Sequence, residues 1–350
     1  MSGPLESTLI SFWEEVYRNS PQLFNLSLEN FQKRFLGSYL LTFNPDAPKN
    51  PSPYSNTAFT DFEDTPETFS IEDLEKVVCW VDFDNEEVTK EKPEEDKEEV
   101  DKEVEDSFHP VFVNPYPVVQ GHSLLALFPE ECLPQAISTE LLTLAMNIFR
   151  ITENPTLRLG YDSIGANCDI NHLHLHLLFL DLLGLEKFPV ETVGEELLLE
   201  SSLQHKDEEE INMFSIGIKL LKAEFPSKCF IIKPSVEVSE ANISEATESL
   251  GNVAGIIVNY CIEENIPHSL IIADSGLSIY VFIRSYQTEL STSKATFLDL
   301  GGVPFLHSEE KYQSIDEEKI AEYLESLSAS QETWQQVSNY TTSLLKSLYH

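Results

Sequence analysis

The chain has 350 residues, enough to bury one large core or two ordinary ones, and 41% of them are hydrophobic, as in a globular protein. Its formal net charge is −38 at pH 7, a field that repels nucleic acid and anionic membranes and excludes both as partners. No run reaches the roughly 18 uninterrupted apolar residues of a membrane span, the N-terminus lacks the pattern of a secretory leader, and the five cysteines are odd in number and scattered, so a cytoplasmic, reducing setting is expected.

In chain order, residues 5–17 carry apolar positions at helical spacing, and residues 38–43 and 77–83 read as strands around a Pro/Asn-rich turn region, 44–55. Residues 84–106 hold 13 acids against 4 lysines, which is −9 of the total charge. This insert is expected to be an exposed loop that carries no site residue and can be deleted at little cost. Strands are expected at 111–113 and 123–128, and a helix at 139–149 from the spacing of Leu141, Leu142, Met146 and Phe149. Residues 195–210 read as a polar, acidic connection between an N-terminal lobe (1–200) and a C-terminal lobe (201–350). Beyond it come a strand at 229–232 and a helix at 244–264 that buries Leu250, Val253, Ile257 and Cys261. Strands at 269–273 and 277–283 follow, joined by the turn Asp274-Ser275-Gly276, and helices at 316–327 and 333–348 close the chain. The expected class is α+β, mainly antiparallel sheets with flanking helices.

The most informative stretch is Asn171-His172-Leu173-His174-Leu175-His176-Leu177-Leu178. Period two is the strand signature, so the three imidazoles should share one face and the leucines should pack on the other. Three readings compete. One imidazole can serve as a nucleophile toward phosphorus; two can converge on a metal ion; or the rings can be satisfied side chains of a structural sheet. A metal site needs further ligands from elsewhere, and no second cluster with ligand spacing is visible.

Upstream lie Gly121-His122, then Cys132-Leu133-Pro134-Gln135, then Arg158-Leu159-Gly160-Tyr161-Asp162-Ser163-Ile164-Gly165, which runs into the triad. This ordered block, about a third of the chain, resembles the GDP-hexose phosphorylases of the histidine-triad superfamily. The resemblance implies a fold of two histidine-triad-like lobes. It implies a transferase whose substrates are a nucleoside diphosphate hexose and inorganic phosphate, with no metal or other cofactor. His174 would be the nucleophile toward the α-phosphorus, and His172 and His176 would orient the ring and donate to phosphate oxygens. His122, Asp162, Ser163, Gly165, Asp169 and Asn171 fall at positions that the family uses near its substrate.

The chain departs from the family pattern at several points. Asp162 stands where the family has Asn, and Asp169 where it has a small or hydroxyl residue. Ala47, Pro51 and Ser52 stand where the family has an arginine-rich stretch, with only Lys49 basic, and Gly301-Gly302 replaces a Gly-His. Carboxylates beside a diphosphate repel it, so Asp162→Asn is expected to raise nucleotide affinity. The rival reading is a non-catalytic descendant that keeps the fold to bind a protein partner. Arg284 reads as a surface arginine, and His268 as a loop histidine at a family position. His109, His205, His307 and His350 have no neighbours of interest.

Overall fold

In the computed structural model the described residues are 5–47, 59–62, 69–70, 73–92, 108–204, 213–221, 225–286 and 295–348. The chain opens with helix α1 (Leu5–Asn19), then strands β1 (Gln32–Leu36), β2 (Tyr39–Phe43), β3 (Val77–Asp82), β4 (Glu87–Thr89), β5 (Phe108–Val113) and β6 (Ser123–Ala126). Helix α2 (Thr139–Met146), β7 (Leu157–Asp162), β8 (His174–Phe179), β9 (Glu195–Gln204), β10 (Met213–Leu221) and β11 (Cys229–Pro234) follow. Helix α3 (Ile243–Glu263), β12 (His268–Ala273), β13 (Ser278–Ile283), α4 (Phe297–Gly301), β14 (Phe305–Leu306), α5 (Glu317–Ser326) and α6 (Gln331–Leu348) complete it.

Eleven strands make one continuous sheet in the order β4-β3-β5-β6-β8-β7-β12-β13-β11-β10-β9, each neighbouring pair antiparallel. β1, β2 and β14 form a small second sheet. The class is therefore α+β with mainly antiparallel sheet.

Alternation along the strands separates two cores. Leu173, Leu175 and Leu177 join Leu159 and Tyr161 of β7, Leu270 and Ile272 of β12, and the apolar faces of α1, α2 and α3. The opposite face of the sheet carries Leu178, Ile271 and Phe282 and is covered by the small sheet, by α4 with Phe297, and by α5. On α3, Gly251 and Gly255 lie one turn apart against α2. A Cβ on either would stand 2.5 and 2.1 Å from the Thr143 and Thr139 hydroxyls, so only glycine lets these helices approach so closely.

Two expected loops belong to the sheet. Residues 87–89 of the acidic insert are edge strand β4, with Val88 buried in the first core. Asp82 accepts from the backbone N–H groups of Asp84 and Asn85 at 2.9 and 3.0 Å to make the turn into it. Deleting the whole insert would therefore remove an edge strand, and the expectation of a costless deletion does not hold. Residues 93–106 lie outside the described set. Residues 195–204, read as a polar connection, are strand β9, which pairs with β10 along its length. Its mixed Glu/Ser/Leu composition hid the strand because an edge strand needs only partial burial.

Candidate active site

Backbone pairing places the triad. Strand β8 faces β6 on one side, with Ala126 opposite His174 and Leu124 opposite His176. On the other side it faces β7, with Gly160 opposite His176. His172 was expected on the strand but lies in the bend just before it. It is nonetheless buried, and Phe69 packs on both its ring and that of His174, at centroid distances of 5.3 and 5.4 Å.

Beyond the Gly160–His176 pair, β7 and β8 splay, and the side chain of Gln135 fills the opening. Its Oε1 accepts from His174 N at 2.9 Å, and its Nε2 donates to the carbonyls of His174 and Asp162 at 3.0 and 3.1 Å. Its backbone N–H donates to Asn171 Oδ1 at 3.0 Å. Replacing Gln135 by alanine leaves buried backbone groups unpaired. We expect a loss of about 2–4 kcal/mol in stability, read as a shift in urea midpoint. A change below about 0.5 kcal/mol would show that the strands close without it.

Hydrogen bonding sets the protonation of each ring. His174 Nδ1 lies 2.7 Å from the His172 carbonyl oxygen. A carbonyl can only accept, so Nδ1 carries the proton. Burial lowers the His174 pKa to about 4, so at neutral pH the ring is uncharged and Nε2 holds a free lone pair. His122 Nδ1 accepts from the backbone N–H of Val118 at 3.3 Å, which puts its proton on Nε2. That nitrogen is 3.1 Å from His176 Nδ1 and donates to it. His176 therefore keeps its own proton on Nε2. Asn114, whose amide oxygen accepts from Tyr116 N, brings its Nδ2 to 3.1 Å from the same His122 nitrogen, where with this tautomer donor meets donor and no hydrogen bond forms. Burial lowers His122 to about 3, and it drives His176 well below the usual range, with His122 and His174 adding to that effect.

Burial likewise lowers His268 to about 4. Four imidazoles thus have folded pKa values below the ordinary 6.5. Between about pH 6.5 and 4 the unfolded chain binds more protons than the folded one, so stability should fall as pH drops through that window. Asp162 and Asp299, both raised to about 6 by burial, oppose this trend between pH 4 and 6. With four groups against two, the net slope expected in urea melts is loss toward acid. A flat or inverted profile would sink this assignment of charge states.

A cleft of about 120 Å³ opens beside the triad, lined by His122, His176, Asn167, Asp169, Phe297 and His307 among others. Of the triad it reaches His176 and not His172 or His174. Phe62 and Phe69 pack on His172, whose Nδ1 accepts from Phe69 N at 3.1 Å, and His174 is 4% exposed. Phe297 reaches His176, at 5.1 Å between centroids, because Gly160 has no side chain. A Cβ there would fall 2.2 Å from the Phe297 ring.

Models of the GDPGP1-like family match nearly the whole chain, the N-terminal domain over residues 4–178 and the C-terminal domain over residues 202–348. This chain belongs to the GDPGP1-like family. It is 29% identical to GDP-L-galactose phosphorylase 2 of Arabidopsis thaliana over 241 residues, 65% of this chain and 49% of that protein. It is 22% identical to GDP-D-glucose phosphorylase 1 of Xenopus laevis over 244 residues, 65% of this chain and 54% of the relative. The chain thus spans about half the length of the curated relatives it matches. The fold is that of yeast Ap4A phosphorylase Apa2, solved in complex with AMP. The TM-score is 0.57 at 15% identity, covering 94% of this chain and 97% of that one.

Of the residues assigned from the sequence, His122, His176 and Asp169 line the cleft of this GDPGP1-like protein, and His174 stands beside it. The others turn inward. Asn171 holds Gln135 and donates to the Asp61 carbonyl at 2.8 Å. Ser163 accepts from His268 N at 2.9 Å, and Gly165 makes a left-handed turn at φ 79°. Asp162 spends its oxygens on Arg284 Nη1 (3.3 Å), Ser269 Oγ (2.5 Å) and Phe297 N (3.1 Å). Its charge faces a buried guanidinium and not a diphosphate, so the reason to expect tighter nucleotide binding from Asp162→Asn is gone.

Arg284, read as a surface residue, is buried and donates also to the carbonyls of Ala166 and Ala295 at 2.8 and 3.0 Å. His307, passed over in the sequence, lines the cleft, as does Ala47. Lys49, Pro51 and Ser52 lie outside the described residues, and Gly302 ends α4 with φ 94°. His268 sits on the opposite face of the sheet from the triad, stacked between Phe59 and Tyr161. Among the described residues no three His, Cys, Asp or Glu side chains come together as metal ligands. None of their helices is long and apolar enough to cross a membrane.

Proposed function

We propose that this GDPGP1-like protein is a GDP-hexose phosphorylase acting through a nucleotidyl-histidine on His174. One observation carries the reading: His174 Nδ1 lies 2.7 Å from the His172 carbonyl oxygen, which holds the proton there and leaves Nε2 as the unprotonated nitrogen of a ring that burial favours in its neutral form. In the proposed reaction Nε2 attacks the α-phosphorus, the N–P bond forms, the bond to the bridging oxygen breaks, and hexose 1-phosphate leaves. Inorganic phosphate then attacks the same phosphorus, the N–P bond breaks and GDP is released. Attack by a neutral nitrogen brings no further anion to an anionic centre. His176 Nε2–H, fixed in that tautomer by His122, donates to phosphate oxygen as charge develops. The same reading takes residues 1–200 and 201–350 as two histidine-triad-like lobes that share one sheet, and sets the protein in the cytoplasm.

A second reading, a non-catalytic member that keeps the fold for a protein partner, is favoured by Phe62 and Phe69, which pack against the rings that chemistry would use. The test is GDP-glucose or GDP-galactose with phosphate, following GDP release. Turnover supports the enzyme. No turnover and no GDP binding with any hexose overturns it in favour of the second reading.

A further inference from the structure

Asn167 takes no part in the triad or in the contacts of the Asp162–Arg284 pair. It is 5% exposed, lines the cleft beside His122 and His176, and its Nδ2 has no hydrogen-bond partner among the described residues. A buried donor of this kind is rarely left without an acceptor. Its backbone adopts φ 78°, a left-handed conformation that Asn accepts more readily than most side chains. The peptide just before it is clamped, since Arg284 donates to the Ala166 carbonyl, so the amide is held at the cleft wall. Two residues on, half-buried Asp169 lines the same cleft.

An amide donor beside a carboxylate does not suit a phosphate, which the carboxylate repels. It does suit a pair of neighbouring hydroxyls, one donating to Asp169 and the other accepting from Asn167. The same lining includes the aromatic rings of Tyr116, Phe297 and Phe305, which offer apolar ring surface to the C–H face of a sugar. We propose that Asn167 and Asp169 form the hydroxyl-reading subsite for the hexose, with the phosphates directed toward His176. The proposal rests on the nucleotide-sugar reading above and adds the residues that distinguish the sugar.

Calorimetric titration with GDP-glucose and with GDP tests it. Wild type should bind GDP-glucose about tenfold more tightly than GDP. Asn167→Gly, which keeps the left-handed backbone, and Asp169→Asn should each remove most of that difference and leave GDP affinity within about twofold. Should Asn167→Gly fail to fold, Asn167→Asp keeps the side-chain shape, replaces the donor and should lose the same preference. Variants that retain the preference, or a wild type without one, overturn the subsite, as does a parallel fall in GDP affinity. UDP-glucose and UDP, run alongside, separate the two claims. A sugar preference confined to the uridine pair and lost in the variants keeps the subsite and removes the GDP-specific enzyme. GDP-glucose turnover with unaltered sugar preference in the variants removes the subsite alone. No binding of any nucleotide sugar overturns both.

Discussion

Under the proposed reaction, His174→Ala should abolish phosphorolysis of GDP-hexose, lowering kcat by a factor of about 10⁴ or more, because the unprotonated nitrogens of the cleft imidazoles His122 and His176 are both taken up as hydrogen-bond acceptors. The flanking rings act differently. His176→Ala removes a donor to developing charge, for which a loss of roughly 10²–10³ is ordinary. His122→Ala should fall in between wild type and His176→Ala, since it frees the His176 tautomer without removing the ring. The alanine at 174 also leaves the His172 carbonyl without its donor at 2.7 Å. Some loss of stability, on the order of 1–3 kcal/mol, should accompany the loss of rate. A melt on the same sample separates the two effects. If folded His174→Ala kept more than about a hundredth of wild-type kcat, the covalent step would be wrong. Residual rate of that size would need another nucleophile.

Much of this site was legible before any coordinates. The alternation of His and Leu predicts which face of β8 is core, and Leu173, Leu175 and Leu177 do occupy it. The same signal failed at His172, two residues before β8 begins, because a side-chain pattern does not reveal where a ladder ends. Here the ladder ends where Gln135 inserts between β7 and β8, a contact across 39 positions in the chain. Gln135 was visible as part of a motif, but its role was not. A glutamine in a Leu-Pro-Gln step looks like turn chemistry until the splayed strands are seen.

Charge was the least legible property. Asp162 reads as an acid facing a diphosphate only if its partner is unknown, and the partner, Arg284, is 122 positions away and looked like a surface residue. Phe297 and Thr296 could have been suspected from the capping pattern that starts α4, in which Asp299 accepts from Thr296 N at 2.9 Å. Asn167 gave no signal at all, being a single polar residue in a turn. Strands β4 and β9 were missed because acidic residues fit an edge strand, whose outer face is wet, as well as they fit a loop.

The second large effect belongs to the buried pair. Arg284 and Asp162 are 1% and 3% exposed. Burial raises the Asp162 carboxyl to about 6, so near neutral pH it is ionised, and all its contacts are donors, as a carboxylate requires. Arg284→Met removes the guanidinium and leaves that carboxylate uncompensated, for which a cost of about 3–5 kcal/mol is expected. It also frees the carbonyls of Ala166 and Ala295, which precede the Asn167 and Thr296 walls of the cleft. Nucleotide-sugar affinity should therefore fall with stability. Asp162→Asn should also destabilise, by less, because an amide oxygen can still accept from Ser269 or Phe297 N. It should not tighten nucleotide binding. The double variant, Asp162→Asn with Arg284→Met, removes both charges and should lose less than the sum of the two singles, since the unpaired charge dominates each single cost. Urea midpoints of the four proteins decide the matter. Simple additivity, or an Arg284→Met cost under about 1 kcal/mol, would mean that the pair is not the anchor between β7, β13 and the start of α4 that its contacts describe.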